Sequence, residues 1–154
     1  MDNDLSEGDY RSLDEFRYAI RCYLRFCEET AQTAGVEPQQ QQLMLAIRVL
    51  AAEGKARIGD LAESLRIRPH SAVELVDRLV SRGLAVREQA EVDRRYVHVR
   101  LTPEGERKLN EVSSRNRAEL RSAGVTLVRV LQEIIDASRD GASPAPNREP
   151  TPSL

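Results

Sequence analysis

Tryptophan is absent from this 154-residue chain, and cysteine, histidine, phenylalanine and lysine occur only twice each. Two cysteines cannot build the disulfide framework of a small secreted domain. The histidines, His70 and His98, lie beside neither cysteine nor any carboxylate cluster with ligand spacing, so no metal site is expected. Uninterrupted apolar runs fall well short of the roughly 18 residues a membrane span needs, and the N-terminus is acidic instead of basic and apolar. There is no glycine-rich phosphate loop and no serine in an elbow motif. These absences exclude most enzyme classes and any resident cofactor, and they place the chain in the cytoplasm, with no membrane among its partners.

What is present is enough apolar residue, 40% of the chain, for one globular domain with its own core. The net charge is −2, yet the charge is uneven: Lys55 to Thr102 holds ten basic against seven acidic residues, a local net of +3. Of the chain's 23 basic residues 21 are arginine, the side chain suited to bidentate phosphate and guanine contacts. Overall acidity does not oppose DNA binding, since a ligand responds to the local potential of the face it meets.

The stretch Ile58 to Thr102 organises the chain. Gly59 to Leu65 reads as a short helix with Leu61, Ala62 and Leu65 on one face. The turn Arg66-Ile67-Arg68 leads to Pro69, which suits a first helical position because its missing N–H would be unpaired there. A second helix, Pro69 to Arg82, places Val73, Val76, Leu79 and Val80 inward and stops at Gly83. Two apolar stripes joined by so tight a turn must pack across each other, as in a helix-turn-helix. Leu84-Ala85-Val86 follows, then a polar segment Arg87 to Asp93. Tyr96 to Leu101 alternates strictly, with Val97, Val99 and Leu101 sharing one face of a strand. The fold class is therefore mainly α with a small β-hairpin, a winged helix whose hairpin has a basic tip.

Leu61-Ala62, Leu65, Pro69, Leu75-Val76-Asp77-Arg78-Leu79, Arg82-Gly83-Leu84, Asp93, Arg95 and Leu101-Thr102-Pro103-Glu104-Gly105 resemble the MarR (multiple antibiotic resistance regulator) family over about residues 10 to 137. The resemblance implies a bacterial transcription regulator acting as a homodimer on double-stranded DNA, with a recognition helix in the major groove and a wing in the adjacent minor groove. It also implies, in many members, a small aromatic effector that releases a repressor from a pseudo-palindromic operator. Two positions depart from the family. Arg68 stands where a capping serine is common, and His70 where a small polar residue is usual, so the operator sequence cannot be transferred.

The rest of the chain supports this division. Residues 1–9 hold four acids and no base and read as a flexible tail. A helix over about 11–33 carries Phe16, Ile20, Tyr23, Leu24 and Cys27, and one from Pro38 to Gly54 carries Leu43, Ile47 and Leu50. Gln39 to Gln42 read as its solvated first turn, and Arg57-Ile58 as a minimal strand pairing with the wing. After the winged helix, about 38–102, Thr102 caps a helix beginning at Pro103. Glu104 and Glu106 complement its dipole. Gly124 is expected to end it, with a last helix from Val125 to Ala137. Residues 138–154 hold four of the seven prolines and read as disordered. The outer helices, about 11–33 and 103–137, carry apolar faces too wide for a small monomer to cover, so burial between two subunits is the economical solution, and the resemblance puts the dimer interface there.

Geometry assigns the reading head. Residues near the start of a recognition helix face base edges, which nominates His70, Ser71 and Glu74. Arg66, Arg68, Arg78 and Arg82 are placed for phosphates, which set register without reading sequence. The resemblance aligns Arg95 with the wing-tip arginine and Asp93 with the acid that holds it; the adjacent Arg94 leaves the register open by one. Tyr18, Tyr23 and Phe26 either line an effector cleft or fill the core. Cys22 and Cys27 raise a thiol-based redox sensor as an alternative, against which stands the ordinary burial of cytosolic cysteine. A bridge between them is excluded, because five residues of helix rise about 7.5 Å and turn the side chains apart. A winged helix can also serve purely as a protein-interaction module.

Overall fold

The computed structural model describes residues 4–89 and 96–140. Seven elements follow in order: α1 (Glu7–Thr33), α2 (Pro38–Ala52), α3 (Ile58–Leu65), α4 (Pro69–Ser81), β1 (Ala85–Gln89), β2 (Val97–Leu101) and α5 (Pro103–Asp140). They divide into two compact units, one within residues 23–120 and one joining the described residues up to 22 with those from 121 onward.

The 23–120 unit is the winged helix. Leu43, Met44 and Ile47 of α2, Leu61 of α3 and Leu79 of α4 are almost wholly excluded from solvent, together with Leu84, Val99 and Leu101 from the hairpin. Each such side chain contributes roughly 1.5–3 kcal/mol of transfer free energy, so one shared core fixes three helices and the root of the wing. The buried face of α4 is Ala72, Leu75, Val76 and Leu79, with Val73 and Val80 at its margin. Of the expected stripe, Val76 and Leu79 lie inward, while Ala72 and Leu75 take the places expected for Val73 and Val80. The hairpin is antiparallel, pairing Ala85 with Leu101 and Arg87 with Val99. Val97, at the far end of β2 from the core, stays exposed although it shares the face of Val99.

The local signals explain the boundaries. Arg66 closes α3 in the left-handed conformation at φ 53°, and Ile67 N–H donates to Ala62 O across that turn. Gly83, at φ 68°, does the same for α4 and lets Leu84 N–H reach Leu79 O. Thr102 caps α5: its Oγ1 accepts from Gly105 N–H at 3.1 Å and donates to Gly83 O at 2.7 Å. Gly105 is required for a second reason. A Cβ there would lie 2.1 Å from the Leu84 carbonyl oxygen, so only glycine lets α5 sit this close to the start of the wing.

Five expectations are corrected. Arg57-Ile58 is no strand: Asp60 accepts the Arg57 N–H and starts α3 at Ile58, and Val99 N–H of the wing donates to Ala56 O. Gly124 does not end a helix, because one glycine costs only about 1 kcal/mol and α5 continues to Asp140. The expected tail 1–9 already contains the first turn of α1, started by a reciprocal cap in which Ser6 N–H donates to Asp9 and Asp9 N–H to Ser6 Oγ. The tail set at 138 likewise begins inside α5, and the rest of it, 141–154, lies outside the described residues. Gln40 and Gln41 are buried, not solvated.

The second unit joins the first half of α1 to the last part of α5. Arg129 pairs with Glu15 across it and with Glu133 along its own helix. Val130 is fully buried, whereas Tyr10, Leu13, Val125, Val128, Leu131 and Ile135 are exposed.

Candidate nucleic-acid interface

The two faces of α4 do different work. While Ala72, Leu75, Val76 and Leu79 root it in the core, Arg68, His70, Glu74 and Arg78 face solvent and Ser71 lies half-buried at the margin. Arg68 occupies the N-cap with extended backbone and makes no side-chain cap bond, leaving its guanidinium outside the helix. His70 Nε2 lies 3.3 Å from a Glu74 carboxylate oxygen one turn on, so these two candidate base-reading groups are neighbours. Arg66 projects from the turn before the helix. Arg66, Arg68, His70, Ser71 and Glu74 therefore come together around the N-terminal end of α4, with Arg78 in its last turn.

Arg82, nominated for the phosphate backbone, has partners inside the protein: its guanidinium donates to the side-chain oxygen of buried Gln40 and to Gly35 O. Arg78 is partly diverted as well, lying 3.8 Å from Glu37. Asp93, Arg94 and Arg95, the expected wing-tip contacts, lie outside the described residues.

Some contributors escaped the sequence reading. Gln39 and Gln42 of α2 line a groove of about 270 Å³ together with Ile67, Ser71, Glu74 and Arg78. No local pattern marks them, since only the packing of α2 behind α4 brings them there. Arg57 reaches the start of β2: its guanidinium lies over the Tyr96 ring, 5.2 Å from the centroid, while Nε donates to Asp60 at 2.8 Å. That hydrogen bond keeps the Asp60 carboxyl below the usual carboxylate range, with a smaller contribution from His98. The i, i+3 spacing of Arg57 and Asp60 was the available signal. Arg87 pairs with Asp77 at 2.7 Å, tying β1 to α4, and Arg100 bridges to Glu88 across the hairpin, where its Nε lies at 3.0 Å.

The three candidate effector rings all lie on α1. Tyr18 is 62% exposed, and its hydroxyl pairs with the Cys22 thiol one turn on, which pushes the phenol up. Tyr23 and Phe26 are half-buried. Burial, then its bond to Cys27, pushes the Tyr23 phenol up, and burial likewise pushes up the Cys27 thiol. Both thiols are free. A raised thiol pKa disfavours the reactive thiolate, so Cys27 has the character of a packing residue. Among the described residues, no helix is long and apolar enough to cross a membrane.

A helix-turn-helix with a hairpin behind it, a solvent-facing α4 and arginines at its start define the winged-helix class. Within that class, residues 35–95 match the model of the MarR family. The HTH-type transcriptional repressor MdtR of Bacillus subtilis is 29% identical over 90 residues, 58% of this chain and 56% of MdtR. The chain thus spans about half the length of that curated relative. AbsC, a MarR family transcriptional regulator from Streptomyces coelicolor, shares the fold with TM-score 0.67 at 21% identity, over 91% of this chain and 95% of its own. CouR from Rhodococcus jostii RHA1, solved bound to p-coumaroyl-CoA, superposes with TM-score 0.59 at 26% identity, over 80% of this chain and 86% of its own.

Proposed function

We propose that this protein is a transcriptional regulator, not an enzyme, that binds double-stranded DNA sequence-specifically as a cytoplasmic homodimer. The observation that carries the proposal is the outward row on α4. Arg68, His70, Ser71, Glu74 and Arg78 cluster on a helix whose other face is fixed in the core, as groove reading requires. His70 and Ser71 can donate to or accept from base edges, Glu74 can accept from a cytosine amino group, and Arg66, Arg68 and Arg78 can neutralise phosphates. Arg95 or Arg94 at the wing tip would enter the minor groove, where negative potential favours arginine. MdtR, a repressor by name, supports repression as the mode of action. CouR, bound to an aromatic acyl thioester, supports a small aromatic effector. Tyr18, Tyr23 and Phe26 are the candidate rings to meet it. The raised, half-buried Cys27 thiol weighs against redox sensing at that residue, while Cys22 is exposed, so the redox-sensing alternative rests on Cys22.

Titrating the protein onto its own upstream DNA, and onto a scrambled duplex of equal length, at several salt concentrations tests this reading. Affinity should fall steeply with salt on both duplexes and be at least about 1,000-fold tighter on the specific one. Equal and salt-independent affinities would leave only the protein-interaction reading.

A further inference from the structure

The joint between α1 and α2, residues 34–37, receives three cations from two other helices. Lys108 of α5 donates to Ala34 O at 2.8 Å, Arg82 at the end of α4 donates to Gly35 O, and Arg78 of α4 faces the Glu37 carboxylate. Arg82 also reaches Gln40, which is only 1% exposed. A buried amide of this kind must find a partner inside the protein, and Arg82 supplies it. The same arginine therefore binds the C-terminal end of the recognition helix both to a backbone carbonyl of the joint and to the first turn of α2. Bonds from a charged donor to two acceptors on different segments fix direction as well as distance.

Resting on the DNA-binding reading above, we infer that Arg82 is a positioning residue: it sets the tilt of α4 through Gln40 and Gly35 and does not neutralise a phosphate. Positioning and phosphate contact leave different signatures. A lost phosphate contact weakens binding to all sequences and reduces the salt slope by about one ion per subunit. A recognition helix that has lost its brace misplaces His70, Ser71 and Glu74 relative to base edges, which lowers the preference for the specific sequence and leaves the slope alone. Gln40 separates the two further, because it is buried and carries no charge.

The experiment titrates full-length wild type, Arg82→Met, Gln40→Leu and Gln40→Glu against a duplex selected by the wild type from a random-sequence library and against its scrambled counterpart, across salt, after thermal melts confirm cooperative folding. Arg82→Met and Gln40→Leu should each reduce the ratio of specific to scrambled affinity about tenfold with an unchanged salt slope. The double variant should lose little more than either alone, because both remove the same contact. Gln40→Glu keeps an acceptor for Arg82 and should retain the wild-type ratio. The inference is overturned if Arg82→Met loses one ion of slope while Gln40→Leu matches the wild type, or if both variants match it. It is also overturned if Gln40→Glu is as poor as Gln40→Leu. Failure of the wild type itself to select any duplex would instead overturn the DNA-binding reading.

Discussion

Residues 23–120 and the two chain ends handle apolar side chains in opposite ways. In the first unit Leu43, Ile47, Leu61 and Leu79 are fully excluded from solvent, and three helices and a hairpin converge on them. In the second, Val125 and Val128 stand 72% and 68% exposed, with Tyr10, Leu13 and Ile135 also open. Two helical segments have only one face each to offer one another, so the rest of their apolar surface stays open among the described residues. The 23–120 unit closes a core of its own, whereas the ends leave much of their described apolar surface open. This difference is the physical reason to expect a second copy, and each change below presses on it from one side.

Gly105→Ala should have the largest effect, because it strikes the 23–120 unit at backbone contact. The new methyl would collide with Leu84 O, and that carbonyl already accepts the Thr102 N–H, so it cannot swing away freely. A loss of about 3 kcal/mol is expected, read as a lower urea midpoint. The matching change on the same helix, Gly124→Ala, meets open space and should raise stability by up to about 1 kcal/mol. Equal effects at both glycines would mean that the units do not differ as described.

Next comes Val128→Lys, aimed at the second unit. If two copies share the apolar faces of α1 and α5, a charge there costs roughly 2–3 kcal/mol per subunit, and the dimer dissociates at least about 100-fold more readily. Light scattering over a concentration series would show it. A wild type that is monomeric at high concentration would break the comparison, since the exposed stripe would then be stable alone.

Legibility in the sequence follows the same line. The winged helix was readable because its signals are local and reinforce one another: Pro69 begins a helix, Gly83 ends it, and Thr102-Pro103 begins the next. Gly124 misled because a glycine has strong punctuating value in isolation and little inside a long helix that other residues sustain. The exposed row on α4 was legible from helix periodicity. Arg82 was not, since a basic residue near a recognition helix satisfies a phosphate or a buried amide equally well, and its partners Gly35 and Gln40 lie 47 and 42 residues away. The burial of Gln40 and Gln41 went unseen for the same reason, being decided by a neighbour in space.

A smaller effect is expected at Arg66. Its φ of 53° is the one positive value outside glycine among the described residues, and it sits in the turn of the helix-turn-helix. Arg66→Gly should relieve about 1 kcal/mol of left-handed strain and raise the melting temperature by several degrees. If Arg66 also meets a phosphate, the same variant should bind DNA more weakly with about one ion less of salt slope. Stability and affinity would then move in opposite directions. A variant less stable than the wild type would show that the arginine side chain makes contacts that outweigh the strain.

The smallest effect sits where α3 meets the start of β2. Asp60 accepts from Arg57, and Arg57 covers Tyr96, so one carboxylate steadies both the start of α3 and the start of β2. Its carboxyl is held below its ordinary value, chiefly by the Arg57 hydrogen bond. The folded state therefore binds this proton less readily than the unfolded chain. The resulting stabilisation is complete above the unfolded carboxyl range, near pH 4, and is lost as pH falls through the lower folded value. Asp60→Asn should remove this contribution at neutral pH and make the stability curve flatter below about pH 4. The pair is partly open to water, Arg57 more than Asp60, so the change should be modest and should shrink further in high salt. Denaturant unfolding of both proteins between neutral and acid pH is the measurement. Curves that stay parallel into acid would mean that Asp60 acts through the geometry of its cap alone, and the charge on Arg57 would then serve Tyr96 and not the helix.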